Sequence, residues 1–242
     1  VLELVTAHAP ELADSDARHG WGLFETLRVQ EGRARWLGLH LARLAEGCAF
    51  LGLPAPPEPD AVEAFLAAHT ELASTRRGSL RLLAVDGRLA VRLGPPPPPL
   101  STLPRLALSR ELTRASTSPL NRFKTLAYLE NRLLHREAEA RGCFDCIAPN
   151  AHGRLSDGGR CTLLLRRGGT WWTPPVSEGA LPGIARRVLL EAGLVREAPL
   201  EAAALDTAEG LLLVNALRGA LPVADARGRA PSGHGAILRA LA

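Results

Sequence analysis

Lysine is nearly absent from this 242-residue chain: of its 29 lysine and arginine residues, Lys124 is the one lysine. Tyrosine is as scarce, with Tyr128 its one representative, and methionine is missing altogether. Aromatic residues make up 4% of the sequence, too few for the stacking platforms that hold single-stranded nucleic acid. The net charge of +4 does not reverse that conclusion, because the arginines are scattered among acids and adjoin only in pairs such as Arg76-Arg77 and Arg166-Arg167. They read as a solvated basic surface with no nucleic-acid partner. No apolar run is long enough to cross a bilayer, and the first ten residues lack the basic-then-apolar order of a secretory signal. The expectation is a soluble cytoplasmic protein with no membrane partner. Arginine in place of lysine, abundant proline and no methionine fit a GC-rich genome.

The four cysteines are too few for a disulfide framework at this length. Cys143 and Cys146 form a C-x-x-C, but the pair follows Gly142 and leads into Ile147-Ala148, a strand entry. A redox pair would open a helix, where the dipole lowers a thiol pKa. A zinc site needs a second ligand pair, which Cys161 alone does not supply. Two buried, inert thiols and no metal are expected.

What is present is a mixed α/β pattern with hairpins rather than a steady βαβ alternation. At 46% hydrophobic the chain can bury a full core. Strand-like runs at Leu23 to Val29 and Ala34 to Leu37 flank a tight Q-E-G-R turn, and a second hairpin pairs Gly78 to Val85 with Arg88 to Leu93 across Asp86-Gly87. Leu41, Leu44, Ala45 and Cys48 share one face of a helix from Leu39, and a second helix runs from Ala61 to His69. Pro95 to Pro99 form a stiff spacer, after which Pro104 to Ser109 reads as a strand. The polar stretch from Thr113 to Pro119 has no periodicity and serves as an interdomain linker between an N-terminal α+β domain, 1–112, and a C-terminal domain, 120–242. In the second domain a helix from about Leu126 to Arg141 stops at Gly142. Strands follow at Phe144 to Ala148, Arg154 to Ser156, Thr162 to Arg166 and Thr170 to Thr173, then a helix from Ala185 to Ala192 and a strand from Gly210 to Val214.

Lys124 can do what arginine cannot. Its amine deprotonates at accessible cost when desolvated, so it can attack a carbonyl and form a Schiff base. That is a sufficient reason for one lysine to survive in an arginine-rich chain, four residues from the one phenol; the alternative is a surface ammonium kept by chance.

Five segments, in order, bear on the choice. They are G-W-G-L-F-E-T from Gly20, H-L-A-R-L from His40, K-T-L-A-Y from Lys124, L-P-G-I-A-R from Leu181 and V-N-A-L from Val214. Together they resemble class IV (fold-type IV) pyridoxal-phosphate enzymes: the branched-chain and D-amino-acid aminotransferases and, most closely, 4-amino-4-deoxychorismate lyase. The resemblance implies a two-domain, D-amino-acid aminotransferase-like fold with pyridoxal 5'-phosphate in the cleft between the halves. It implies that Lys124 is the catalytic amine and that Tyr128 faces the phenolic oxygen of the cofactor. Arg43 would grip the phosphate with backbone groups of Gly183, Ile184 and Ala185 at a helix start, and Asn215 and Ala216 would form a second phosphate loop. Arg81, on an N-domain strand, is the substrate-carboxylate candidate, ahead of Arg18, His19 and Arg122. Glu25 and His40 read as structural.

Two departures stand out. The family writes G-D-G where this chain has Gly20-Trp21-Gly22, so Trp21 takes the place of an acid and reads as a core residue. Asp157 stands where the family has the glutamate that meets the ring nitrogen, and Thr162 where an asparagine is usual. Aspartate is shorter by one C–C bond, on the order of 1.5 Å. A weaker grip on the ring nitrogen suits elimination of pyruvate, which creates an aromatic product, better than transamination. The resemblance of the lysine segment and the N-A-L loop to the lyases implies release of pyruvate and p-aminobenzoate for folate synthesis, by a homodimer acting on a small molecule. The alternatives are a branched-chain or D-amino-acid aminotransferase, and a family member that has lost catalysis and keeps a binding role.

Overall fold

The computed structural model describes residues 2–6, 16–68, 75–224 and 228–242. They form two compact units, 1–98 with 123–128 and 99–122 with 129–242. The sequence division at 113–119 differs from this in both directions. Residues 99–112 cluster with the second unit, where Leu106–Leu108 pairs in parallel with Asp145–Ile147. The lysine segment clusters with the first unit, where Phe24 N–H donates to the Lys124 carbonyl and Leu126 N–H to the Gly22 carbonyl.

The first unit is built on strands β1 (Glu3–Thr6), β2 (Leu23–Gln30), β3 (Arg33–Ala34), β4 (Arg77–Val85) and β5 (Arg88–Gly94), with helices α1 (Leu37–Leu51) and α2 (Pro59–Ala67) between β3 and β4. The sheet order is β1-β5-β4-β2-β3. Both predicted hairpins form, and at their tips Glu31-Gly32 and Asp86-Gly87 all have positive φ, the type I′ geometry that fits strand twist. The strand expected over Ala34 to Leu37 is shorter, because Trp36 turns left-handed and α1 begins at Leu37. The end of the second predicted helix at His69 lies outside the described residues. Alternation along β2 buries Leu23, Glu25, Leu27 and Val29. These pack with Leu37, Leu41, Leu44, Cys48 and Leu51 of α1 into one core, each buried leucine contributing about 2 kcal/mol.

The predicted helix from Leu126 starts only at Leu129, because the residues before it are held extended: Thr125 bridges Leu23, and Leu126 is fixed by Gly22. Glycine is required where that segment approaches. A Cβ on Gly20, whose φ is +74°, would lie 2.7–2.8 Å from the Ala127 backbone and Cβ, and one on Gly22 would lie 2.8 Å from Leu126. Gly20→Ala is expected to destabilise the fold by about 2 kcal/mol or more, combining left-handed strain with the clash. It should also lower turnover, since Ala127 is three residues from Lys124; thermal denaturation and steady-state rates check both. Trp21, between the two glycines, is 47% exposed, so it is not the core residue the sequence suggested.

The second unit contains β6 (Leu106–Leu108), α3 (Leu129–Ala140), β7 (Asp145–Pro149), β8 (Leu155–Gly158), β9 (Thr162–Arg167), β10 (Thr170–Thr173), α4 (Ile184–Glu191), β11 (Arg196–Glu197), α5 (Ala204–Thr207), β12 (Gly210–Asn215), β13 (Gly219–Pro222) and α6 (Gly235–Ala240). Its strands make a three-stranded sheet, β6-β7-β8, and a five-stranded sheet, β11-β10-β9-β12-β13. Gly142 has φ +62°, consistent with the helix stop read from the sequence. Cys146 is buried, its thiol pushed up to about 12 by burial, whereas Cys143 is only half-buried, not buried as expected. No cluster of metal-ligating side chains occurs among the described residues. Nor is any described helix long and apolar enough to cross a membrane.

Candidate active site

Lys124 is fixed through its own backbone, which caps the start of β2, and its side chain is set between two rings. Nζ lies 4.3 Å from the Phe24 ring centroid and 4.8 Å from that of Tyr128, and donates to the Tyr128 hydroxyl at 3.3 Å. The two rings meet edge to face with centroids 5.0 Å apart. The sole amine and the sole phenol are therefore direct neighbours, which the four-residue spacing suggested. Arg81 shares the same ring: its guanidinium carbon is 6.0 Å from the Phe24 centroid, and it is exposed on β4 opposite Thr26 and Arg92.

Three buried polar side chains, Glu25 on β2 with His40 and Arg43 on α1, interlock directly. Arg43 donates from Nε to Glu25 Oε1 at 2.8 Å and from its terminal nitrogen to Oε2 at 2.7 Å. His40 Nδ1 is 2.7 Å from the same Oε2. Burial alone would raise the Glu25 carboxyl, but the Arg43 charge and the bonds from His40 and Arg43 outweigh it and hold the group at about 2. Burial pulls His40 below its ordinary value against the opposing pull of Glu25, with Arg43 and Lys124 adding to the lowering. Glu25 thus stays ionised and sets the plane of the Arg43 guanidinium.

In the second unit Asp157 sits on β8 and is 6% exposed, so it is no turn residue. Its Oδ2 accepts the Leu181 N–H at 3.2 Å, while Oδ1 is buried with no partner among the described residues. Burial pushes the carboxyl up to about 6, opposed first by Arg114, then by the Leu181 N–H and Arg186, with Asp145 adding to the rise. The bond from Leu181 ties Asp157 to the turn that opens α4. Gly183 is the N-cap there and makes no side-chain cap hydrogen bond to the first turn, which begins with Ile184 and Ala185. Thr162 lies beside this turn: a Cβ on Gly183 would be 3.2 Å from its hydroxyl.

Asn215 ends β12 and is committed to its own turn, Oδ1 accepting the Leu217 and Arg218 N–H groups while Nδ2 donates to the Arg160 carbonyl and Cys161 Sγ. Arg18, His19 and Arg122 are exposed. The sequence reading missed Phe24, whose ring faces both Lys124 and Arg81, and Asp145. The latter accepts the backbone N–H groups of Cys146, Gly159, Arg160 and Cys161, and so shapes the turn that follows Asp157.

The amino-transferase class IV family profile matches residues 22–226. A bifunctional aminodeoxychorismate lyase/D-amino acid transaminase of Mycobacterium tuberculosis is 29% identical over 92% of this chain and 86% of its own length. The solved structure of a candidate 4-amino-4-deoxychorismate lyase is 31% identical with TM-score 0.79, covering 97% of this chain and 95% of that one. A hypothetical aminotransferase of Mycobacterium tuberculosis in its pyridoxal-phosphate-bound form is 26% identical with TM-score 0.78, over 97% and 91%. The chain belongs to the class IV aminotransferase family, whose members are pyridoxal-phosphate-dependent enzymes.

Proposed function

We propose that the protein is a 4-amino-4-deoxychorismate lyase that releases pyruvate and p-aminobenzoate. The observation that carries the proposal is the lysine segment: the one amine of the chain is seated between Phe24 and the one phenol, in a run, K-T-L-A-Y, that resembles the lyases. The relative that is 29% identical, named as both lyase and transaminase, supports the same choice and favours a second reading, amino-group exchange at the same site.

The residues present fit pyridoxal phosphate. Asp157 Oδ1 is a buried acceptor without a partner, as a protonated ring nitrogen requires. The uncapped start of α4 offers N–H groups to a phosphate, and Arg43 is an arginine oriented in advance by Glu25. Lys124 would hold the group covalently, and Tyr128 would meet its phenolic oxygen. When bound, it supplies an electron sink for the bond that breaks.

The chain's own residues then do the rest. Lys124 Nζ takes the substrate ring proton whose loss, with departure of pyruvate, makes the product ring aromatic. The Tyr128 hydroxyl, 3.3 Å away, keeps that amine oriented between proton transfers. Phe24 and Tyr128 exclude water from two sides of it. Arg81, above the same Phe24 ring, would receive a substrate carboxylate. A homodimer acting in folate synthesis in the cytoplasm is part of this reading by family resemblance, and sedimentation would check the dimer.

The test is product formation by the purified protein supplied with pyridoxal phosphate. Release of p-aminobenzoate from aminodeoxychorismate supports the reading. Amino exchange with keto acids and no p-aminobenzoate would replace it with the aminotransferase, and neither activity would leave a binding protein.

A further inference from the structure

Arg114 lies in the stretch that the sequence reading took for a linker, yet it is 4% exposed. Its backbone is pinned at the end of β7: its N–H donates to the Pro149 carbonyl at 2.8 Å and it bridges Asn150. The stem runs past Gly179, where a Cβ would fall 2.8 Å from Arg114 Cγ and 2.9 Å from Ser156 Oγ, the neighbour of Asp157. One terminal nitrogen donates to Glu130 at 2.6 Å and reaches Asn131 at 3.5 Å. Asn131 in turn donates to the carbonyls of Gly158 and Gly159, the two residues after Asp157. Nε and the second terminal nitrogen are buried with no partner among the described residues. A guanidinium held this way has only one of its three nitrogens matched to an acceptor, and the charge that Glu130 does not offset acts on a low-dielectric interior.

Asp157, next to Ser156 on β8, has a buried oxygen without a partner among the described residues, and of the groups that oppose the effect of burial on it Arg114 is the largest. Arg186 from α4 acts in the same sense; Asp145 from β7 acts against it, and Cys161, ahead of β9, is a further titratable group that senses Asp157. We infer that Arg114 is a positioning residue for Asp157: its buried guanidinium supplies the positive field that keeps this shortened carboxylate ionised and able to hold a protonated ring nitrogen. The inference rests on the reading of Asp157 as the ring-nitrogen partner. Glu130 tunes the effect, because its own charge, half-exposed at 39%, neutralises part of the Arg114 field.

The titration of the Asp157 carboxylate, followed by carbon-13 NMR in the full chain and assigned by its loss in Asp157→Asn, tests this directly. Arg114→Gln should raise the midpoint by about one unit or more, a tenfold loss of the ionised fraction on the acid side, and Arg114→Lys should restore most of it. Glu130→Gln should move it the other way, downward, by unmasking the Arg114 charge. A residue with only a packing role would not give opposite signs in the two variants. An unmoved midpoint in Arg114→Gln overturns the inference; if that variant does not fold, an unmoved or raised midpoint in Glu130→Gln does so. The ring-nitrogen reading is tested separately, by the nitrogen-15 shift of labelled pyridoxal phosphate bound to Asp157→Asn. An unchanged shift there would remove that reading while leaving the coupling of Arg114 to Asp157 standing.

Discussion

Lys124→Arg is expected to lose turnover on the order of 10⁴-fold, with the fold retained. Arginine keeps the charge and much of the length of the side chain, and a guanidinium can still lie over the Phe24 and Tyr128 rings as the amine does at 4.3 and 4.8 Å. What it cannot do is deprotonate, so it can neither bond to a carbonyl carbon nor take a proton from substrate. The chain offers no substitute, since no second lysine exists. Lys124→Ala should show the same loss, and small primary amines added to it should restore part of the rate, which separates a missing amine from a damaged site. Borohydride treatment of the protein with pyridoxal phosphate, followed by peptide mapping, should label Lys124 in the parent and nothing in either variant. Retention of more than a tenth of the parent rate by Lys124→Arg would end the assignment.

How much of this was legible beforehand depends on whether the information is local. The two hairpins were readable because Glu31-Gly32 and Asp86-Gly87 specify positive φ at the turn itself. The core face of α1 was readable because helical periodicity is written in adjacent turns. The start of α3 was not. The helix was read from about Leu126, and only pairing of this segment with Gly22 to Phe24, a hundred residues earlier, keeps it out of the helix until Leu129. The placing of β6 was not legible for the same reason: it pairs with β7 in parallel, across a connection that no turn announces. Trp21 was taken for core on its hydrophobicity alone, but side-chain direction beside two glycines is not set by composition. Arg114 was invisible among so many arginines, since what distinguishes it is burial without matched acceptors, a property of the folded chain.

Glu25→Gln should be the most destabilising single change in the first unit, by about 3 kcal/mol or more. The substitution keeps the shape but removes the charge of Glu25, which meets Arg43 at 2.7 and 2.8 Å in a site where Arg43 is 8% exposed. His40 can adapt by switching tautomer and accepting from the new amide; Arg43 has no such option. The expected fall in melting temperature is roughly 10 °C for a chain of this size. The pH dependence identifies the cause. Because the folded Glu25 carboxyl titrates near 2, below its unfolded value of 4.5, its contribution is complete above pH 4.5 and is lost as the pH falls through about 2. The stability gap between parent and variant should therefore be constant near neutrality and close progressively between those two values. His40 contributes with the same slope at higher pH: its folded pKa is lowered, so below about 6.5 the unfolded chain binds the proton more readily and stability falls, more in the variant, where the Glu25 charge no longer supports the protonated imidazole. A gap that stayed constant down to pH 2 would show that the loss came from packing rather than from the buried charge. Affinity for pyridoxal phosphate supplies the functional readout. With Glu25 gone the Arg43 guanidinium is no longer held in one plane, so a phosphate site that depends on it should bind more weakly even at temperatures where the variant is fully folded.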